Sequence, residues 1–572
     1  MSDALPGFLV LTGPADGTTA GSGAREGWRL TTWDLSGAPP EGGSPLPVSR
    51  TVWSSRGPVS PALLQGWMTR GDEPGLRSMM PPFAALAVDG DDLVLATDVL
   101  GFRQVFVRED DDRVAVSTSA RALATLPGGG TASRLDRGAL LLQSRLGYQL
   151  GQDTVYAGVR KLEPGTLLRW SSDLRRSRVT LEEGETLPLS EAVRRAAAGL
   201  REFLERYLDA NPEPTLQLTG GQDSRLVLSA IPPARRHQVR ALTMGDPGTP
   251  DVDLAAEIAG RLGLQHTVRG LADLGSLSPA ECFERVRDAS ARLDAMADPL
   301  AKAATLWAEE GFEQGARLGG LGGEIGRGFF YTGRVRPRPV TDARTRRLAR
   351  WRLFVNEAVE PAALDPSFAA DASRHAMDVA TRTFADAGPE WYGATDEVYL
   401  WHRMQRWAGL SETAVCFDRE LVNPLLDAGF LRIARALAPR DKAHGRFLAR
   451  LQVALDADLA ALPLEGRPSP AALAGTGPAV RAAAVASTGR RVAGKVAQRL
   501  ARHGRAPAGG HALANGVLRH VRATPAVLDP VRGLGIFSDA WLDDLTAGRT
   551  GAQPATVSFL VNVLVAQDAT TH

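Results

Sequence analysis

Lysine is nearly missing from this 572-residue chain, with Lys161, Lys302, Lys442 and Lys495 the only four among 66 basic residues. Chemistry that needs an ammonium group therefore has four candidates, and arginine carries the remaining positive charge. Cysteine is scarcer still. Cys282 and Cys416 cannot build a disulfide framework and lack metal-ligand spacing, which fits a reducing cytoplasm. An excess of one charge is absent too: the net charge is +1 at pH 7, so no overall field draws in nucleic acid or an anionic membrane. No stretch approaches about 18 uninterrupted apolar residues. The opening MSDALPGFLVLTGP has no basic segment ahead of an apolar run. These absences point to a soluble cytoplasmic protein without a nucleic-acid partner or a membrane span.

What is present is an ordinary globular composition, 44% hydrophobic and 23% charged. The length exceeds one hydrophobic core and fits two large domains. Up to residue 185 the chain reads as short apolar runs broken by Gly, Pro and Asp: Phe8 to Leu11, Ala84 to Val88, Leu93 to Ala96, Gln104 to Val107 and Val114 to Ser117. Such spacing predicts an antiparallel β-rich layer, interrupted by one helix over Arg137 to Leu146. Beyond residue 185 the period changes. Ser190 to Leu208 places Ala192, Val193, Ala196, Leu200, Phe203 and Leu204 on one helical face. A strand at Thr215 to Leu218, a Gly-rich turn and a helix follow, then a strand at Val239 to Met244 and a helix at Val252 to Leu262. That alternation predicts a parallel α/β sheet. The expected domains are 1–185 and 186–572, joined by a linker at 180–188. Within 466–512 lies a basic Ala/Gly/Arg-rich stretch with Arg481, Arg490, Arg491, Lys495, Arg499, Arg502 and Arg505. It reads as a solvated helix or as a docking surface for an acidic partner.

The strongest local signal is Thr219-Gly220-Gly221-Gln222-Asp223-Ser224-Arg225, between the strand residues Leu216 and Leu218 and an apolar helix. Paired glycines let the backbone turn tightly, and a helix N-terminus adds its dipole, so the turn can cradle an anion. Thr219 and Ser224 can donate hydroxyls to phosphate, and Asp223 can hold Mg²⁺. There is no Walker Gly-Lys-Ser/Thr.

As a whole this segment resembles the pyrophosphatase-type loop, Ser-Gly-Gly-x-Asp-Ser, of the asparagine synthetase superfamily, with Thr219 in place of the first serine. Gly245 to Asp251, and the later Leu262-Gly263-Leu264-Gln265-His266, are similar to the family's second strand, loop and helix. The family grips adenine through backbone groups near the position of Met244. Leu318-Gly319-Gly320-Leu321-Gly322-Gly323-Glu324-Ile325-Gly326-Arg327-Gly328 resembles the second Gly-rich loop, in which an acidic residue, here Glu324, completes the Mg²⁺ site with Asp223. Asn423-Pro424-Leu425-Leu426-Asp427 and Leu437-Ala438-Pro439-Arg440-Asp441-Lys442 match a mainly structural segment. The resemblance implies two units. The first is a degenerate class II glutamine-amidotransferase-like (Ntn-type) β-rich sandwich, carried by Asp98-Val99-Leu100-Gly101, Ser117-Thr118-Ser119-Ala120 and residues 158–165. The second is a parallel α/β synthetase of the adenine-nucleotide α-hydrolase (PP-loop ATPase) type, using ATP and Mg²⁺.

Two departures narrow the branch. The chain begins Met1-Ser2-Asp3 and has no cysteine nucleophile in its first 185 residues, which implies lost glutaminase activity. Leu321 stands where asparagine synthetases carry a glutamate and β-lactam synthetases a tyrosine. The family's catalytic lysine follows a Leu-Pro, where Leu462 to Arg467 offers only Arg467. Arg467, with Lys442 or Arg327 behind it, would stabilise charge on the adenylate. This pattern resembles the lasso-peptide cyclases, which close a macrolactam. It implies a peptide or small-molecule carboxylate substrate and, in that family, a leader peptidase and a leader-recognition protein. A β-lactam synthetase-like enzyme, an ammonia-dependent amide synthetase and a nucleotide-binding scaffold stay open. The histidines, His237, His266, His402 and His444 among them, have no i, i+4 pair and are assigned no metal. Trp401, Trp407 and Phe417 read as core or as cleft lining.

Overall fold

The computed structural model describes residues 5–12, 23–25, 27–35, 44–111, 113–127, 134–171, 173–312, 315–475 and 508–571. Arg481 to Arg505 of the basic stretch lie outside the described residues.

Short apolar runs in the first part build two antiparallel sheets. One has the order Val159–Lys161, Phe106–Asp110, Arg113–Ser117, Gly7–Thr12, Trp28–Trp33, Gly23–Arg25. The other runs Leu174–Arg178, Thr166–Trp170, Asp92–Thr97, Ala84–Asp89, Leu46–Pro47. Phe8, Val10 and Val116 from the first meet Leu86, Leu95 and Trp170 from the second in one buried layer, so the sheets form a sandwich. The helix expected over Arg137–Leu146 forms with those bounds, capped by Asp136 and closed by Gly147 at φ 75°. It is not alone. Pro61–Arg70, Glu73–Arg77 and Ala120–Ala124 are also helical, and the strand expected from Gln104 begins at Phe106. The competing signal at Pro61–Arg70 was its caps, Ser60 ahead of Pro61 and Gly71 behind.

In the second part the helix Leu189–Ala210 leads into a five-stranded, wholly parallel sheet. Its order is His266–Arg269, Arg240–Met244, Thr215–Gln217, Ala316–Leu318, Glu420–Val422. The chain builds outward from Thr215–Gln217 in one direction, then returns to place Ala316–Leu318 on its other side. The gap between those two strands is the topological switch point, where open α/β sheets bind ligands at the strands' carboxyl ends. Leu216, Leu218 and Leu318 are fully buried and anchor both strands.

The two parts share one apolar core, in which Leu100 and Phe102 pack with Leu318, Tyr399 and Val422. Hydrogen bonds between side chains and backbone cross between them as well. Thr413 Oγ1 donates to Phe102 O at 2.6 Å, Gln405 Nε2 donates to Leu100 O at 3.1 Å, and Gly151 N donates to His402 Nδ1 at 3.0 Å. Gln405 and His402 belong to a ten-residue π-helical segment, Tyr399–Ala408. No helix among the described residues is long and apolar enough to cross a membrane.

Candidate nucleotide site

The first Gly-rich turn leaves the strand Thr215–Gln217 and enters the helix Gln222–Ala230 through Gly221, which provides no side-chain cap. First-turn amides of a helix have no intrahelical acceptor, so this end offers donors to an anion. The turn is preorganised by its own side chains. Thr219 N donates to Ser224 Oγ at 3.1 Å, Gly221 N donates to Thr219 Oγ1 at 3.1 Å, and Gly220 N donates to Asp251 Oδ1 at 2.7 Å. Asp251 arrives from the first turn of the helix Pro250–Leu262. Burial raises its carboxyl pKa, and the Gly220 bond works against that rise. Arg225, fully buried, donates to Gly220 O and to the carbonyls of Leu462 and Pro463. The turn is thus tied to the segment that carries Arg467.

The second Gly-rich loop leaves the neighbouring strand Ala316–Leu318, and its glycines let it lie directly on the first. A Cβ on Gly320 would meet the backbone of Asp223 and Ser224, and one on Gly323 would run into the Asp223 carboxylate. A Cβ on Gly319 would strike Asn423 Oδ1, which also accepts from Leu321 N at 3.2 Å. This close approach brings Asp223 and Glu324 together with Arg327 between them. Arg327 Nη2 lies 3.3 Å from Asp223 Oδ2 and 3.1 Å from Glu324 Oε1. The three side chains are 18, 19 and 22% exposed, enough for a ligand to reach them. Burial pushes the Asp223 carboxyl up to about 6, with Arg327 and Arg467 pulling it down and Glu324 pushing it further up.

Asp223 Oδ1 and Glu324 Oε2 are buried and accept no hydrogen bond among the described residues. Two hard carboxylate oxygens without a partner, beside a turn built for phosphate, fit Mg²⁺, which takes one or two carboxylates and completes its shell with phosphate and water oxygens. Among the described residues no larger cluster of His, Cys, Asp and Glu could hold a metal alone.

Of the residues singled out from sequence, Thr219, Gly220, Gly221, Asp223, Ser224, Gly319, Gly320, Glu324 and Arg327 come together at this point. Arg467 is within electrostatic reach of Asp223. Leu216 and Leu218 point into the core and offer only backbone. Met244 ends its strand paired with Arg269, one strand away. Lys442 is buried, and its Nζ lies 2.7 Å from Asp396 Oδ2. Tyr331 Oη donates to the same carboxylate oxygen at 2.8 Å.

Sequence reasoning missed Asp251, Tyr331, Asp396 and Tyr399. Tyr399 is buried, stacks on Phe329 at 4.6 Å, and lies within electrostatic reach of Glu324, Arg403, Arg327 and Asp223. Its only advance signal was a run of large polar and aromatic residues, Tyr399 to Trp407. Cavities of about 320, 520 and 330 Å³ lie elsewhere and border neither loop.

No family model matches this chain, and no curated protein does. Among solved structures it aligns with glutamine phosphoribosylpyrophosphate amidotransferase from B. subtilis complexed with ADP and GMP, at 12% identity and TM-score 0.20, over 46% of this chain and 60% of that one. It also aligns with an allosteric regulatory enzyme of purine biosynthesis, at 12% and 0.19, over 46% and 59%. A third match is glutamine-dependent NAD⁺ synthetase from Acinetobacter baumannii in complex with ADP, at 18% and 0.15, over 32% and 39%. The chain spans less than two thirds of each of these structures, and scores this low lend no weight to a functional reading.

Proposed function

We propose that this chain is an ATP-dependent amide-bond-forming ligase that activates a carboxylate as an acyl-adenylate, releases pyrophosphate and couples the acyl group to an amine. One observation carries the reading: two Gly-rich loops leave adjacent strands at the switch point of a parallel sheet and bring two orphaned carboxylate oxygens together over a helix N-terminus. Bound Mg²⁺ would neutralise phosphate charge there, held by Asp223 and Glu324. Thr219, Ser224 and the first-turn amides would hold the leaving pyrophosphate, and the backbone near Met244 the adenine. Arg467 would stabilise negative charge developing on the adenylate, with Arg327 beside it once displaced from the two carboxylates.

With leucine at position 321, proton removal from the amine needs another group. The Tyr331, Asp396 and Lys442 triad meets the requirement of a buried, hydrogen-bonded proton acceptor. Burial raises the Asp396 carboxyl, against the pull of Lys442 and the Tyr331 hydroxyl.

The finer reading is intramolecular attack, a macrolactam closure of the lasso-peptide type on an Asp or Glu side chain, served by a leader peptidase and a leader-recognition protein. An amine held on the same molecule gains effective molarities as high as about 10⁵ to 10⁸ M, which lessens what the site itself must supply. In this reading the antiparallel part, 1–185, is a glutaminase-like domain without its nucleophile, and 186–572 is the synthetase. The Arg327 bridge across both carboxylates also favours a second reading, a nucleotide-binding scaffold without turnover. The deciding experiment is pyrophosphate release with ATP and Mg²⁺, across aspartate with ammonium, small β-amino acids and precursor peptides, in wild type and Asp223→Ala. Release that requires one acid and disappears in the variant supports the ligase. ATP binding without release by any acid supports the scaffold.

A further inference from the structure

On the far side of Tyr399 lies a group that the nucleotide chemistry does not use. Arg403 sits four residues along the same π-helical segment, and its guanidinium is walled by rings from three parts of the chain. It lies 5.4 Å from the centroid of Tyr148, 5.5 Å from Phe329 and 4.8 Å from Trp407. Phe329 follows the second Gly-rich loop, Tyr148 belongs to the antiparallel part, and Trp407 is 40% exposed at the rim. The only hydrogen bond Arg403 makes among the described residues is from Nη1 to Tyr148 Oη at 3.3 Å. It makes no ion pair among them, whereas Arg327, also half-buried, holds two carboxylates. Its nearest acidic influence is Glu357, a buried carboxyl felt through space without a direct contact.

A guanidinium has five donors in a planar fork, and one of them is used here. Partly desolvated by aromatic faces, with its unused donors still open to a ligand, such a fork favours a bidentate oxyanion. Its placement sets the reach. Tyr399, about one turn back along the same segment, is within electrostatic reach of Arg403 on one side and of Asp223, Glu324 and Arg327 on the other, so the two charged groups flank one buried ring.

We infer that Arg403, framed by Tyr148, Phe329 and Trp407, is the anchor for a second oxyanion on the substrate, so that the acid activated beside Asp223 and Glu324 is a dianion. This rests on the adenylation reading and names its substrate class. The shared chemistry is a pair of carboxylates a few bonds apart, supplied either by a free diacid or by two neighbouring acidic residues of a peptide.

The test compares matched probes: succinate against butyrate, and capped Asp-Asp against Asp-Asn peptides, in pyrophosphate release by the full-length protein, Arg403→Met and Arg403→Lys. The expected result is a KM about ten- to hundredfold lower for the dianionic member in wild type, the order of a charge-assisted bond. The preference should vanish in Arg403→Met and return in part in Arg403→Lys, with the change falling on KM rather than kcat. Preference among the free acids alone assigns a small diacid, and preference among the peptides alone assigns an acidic peptide. An unchanged KM ratio in Arg403→Met, or no preference in wild type, overturns the anchor. If no acid drives release, the adenylation reading has failed, and calorimetric titration of succinate and Asp-Asp decides the anchor separately. Binding that Arg403→Met abolishes upholds it, and absence of binding overturns it.

Discussion

Asp223 is the residue on which the site turns, since it shares Arg327 with Glu324, keeps one oxygen unpartnered and touches the glycine loop opposite. Replacing it with alanine should lower pyrophosphate release about 10²- to 10³-fold, the order seen when one charge-stabilising group is removed from an active site. Gly323→Ala tests the same point from the other loop. The added methyl must displace the Asp223 carboxylate, so activity should fall with it, and overpacking should cost about 1–3 kcal/mol in denaturant unfolding. A third outcome concerns Lys161, whose ammonium is buried beside Asp98 and whose pKa is pushed down to about 7 by burial and by Arg406. Between about 7 and the ordinary lysine value the folded state has released a proton that the unfolded chain still holds. Stability from this group therefore rises with pH across that window and is lowest below 7. Unfolding of wild type and Lys161→Met at pH 7 and pH 9.5 should show wild type gaining on the variant at the higher pH. At this scale the sequence was readable where chemistry sits in one short segment, as in residues 219–225 and 319–328. It was opaque where a partner comes from afar. Asp251 meets Gly220 across 31 positions and Lys442 meets Asp396 across 46, and nothing local to either announces the pairing.

The element that links the candidate site to the antiparallel part is the Tyr399–Ala408 segment. A π-helix holds an extra residue per turn and is seldom kept without a use for it. Here one stretch brings Tyr399 within electrostatic reach of Asp223, Glu324 and Arg327 while His402, Arg403, Gln405 and Arg406 bind the antiparallel part. Deleting one residue from it, Trp401 for instance, should let the stretch relax to an α-helix and move the two sets of side chains out of step. Pyrophosphate release should be lost while far-UV circular dichroism still reports the native helix content. Periodicity found the helices Arg137–Leu146 and Leu189–Ala210, whose apolar residues recur at the ordinary spacing. It gives no sign of the π-helical turns at Tyr399–Ala408, whose buried Tyr399, Leu400, Met404 and Ala408 recur near that spacing too.

At the scale of the whole molecule, the alternation of strands with helices in the parallel part and the closely spaced apolar runs of the antiparallel sandwich could both be read from the chain. How they join could not, because Thr51, Leu100, Phe102 and Gln104 carry no mark of the carboxyl-terminal residues they bind. Since Phe102 packs in the same core as Leu318 and Val422, residues 186–572 expressed alone should expose apolar surface and aggregate. Size-exclusion chromatography should then recover a monodisperse species when residues 1–185 are supplied in the same cells. The join also sets a timetable during synthesis. Phe102 and its neighbours leave the ribosome 311 residues ahead of Thr413, a delay of about 15 to 60 s at typical elongation rates. Throughout that interval Leu100 and Phe102 lack the residues that cover them, so the window for chaperone engagement and for misassembly with another nascent copy opens early and shuts only when the last strand of the parallel sheet has emerged.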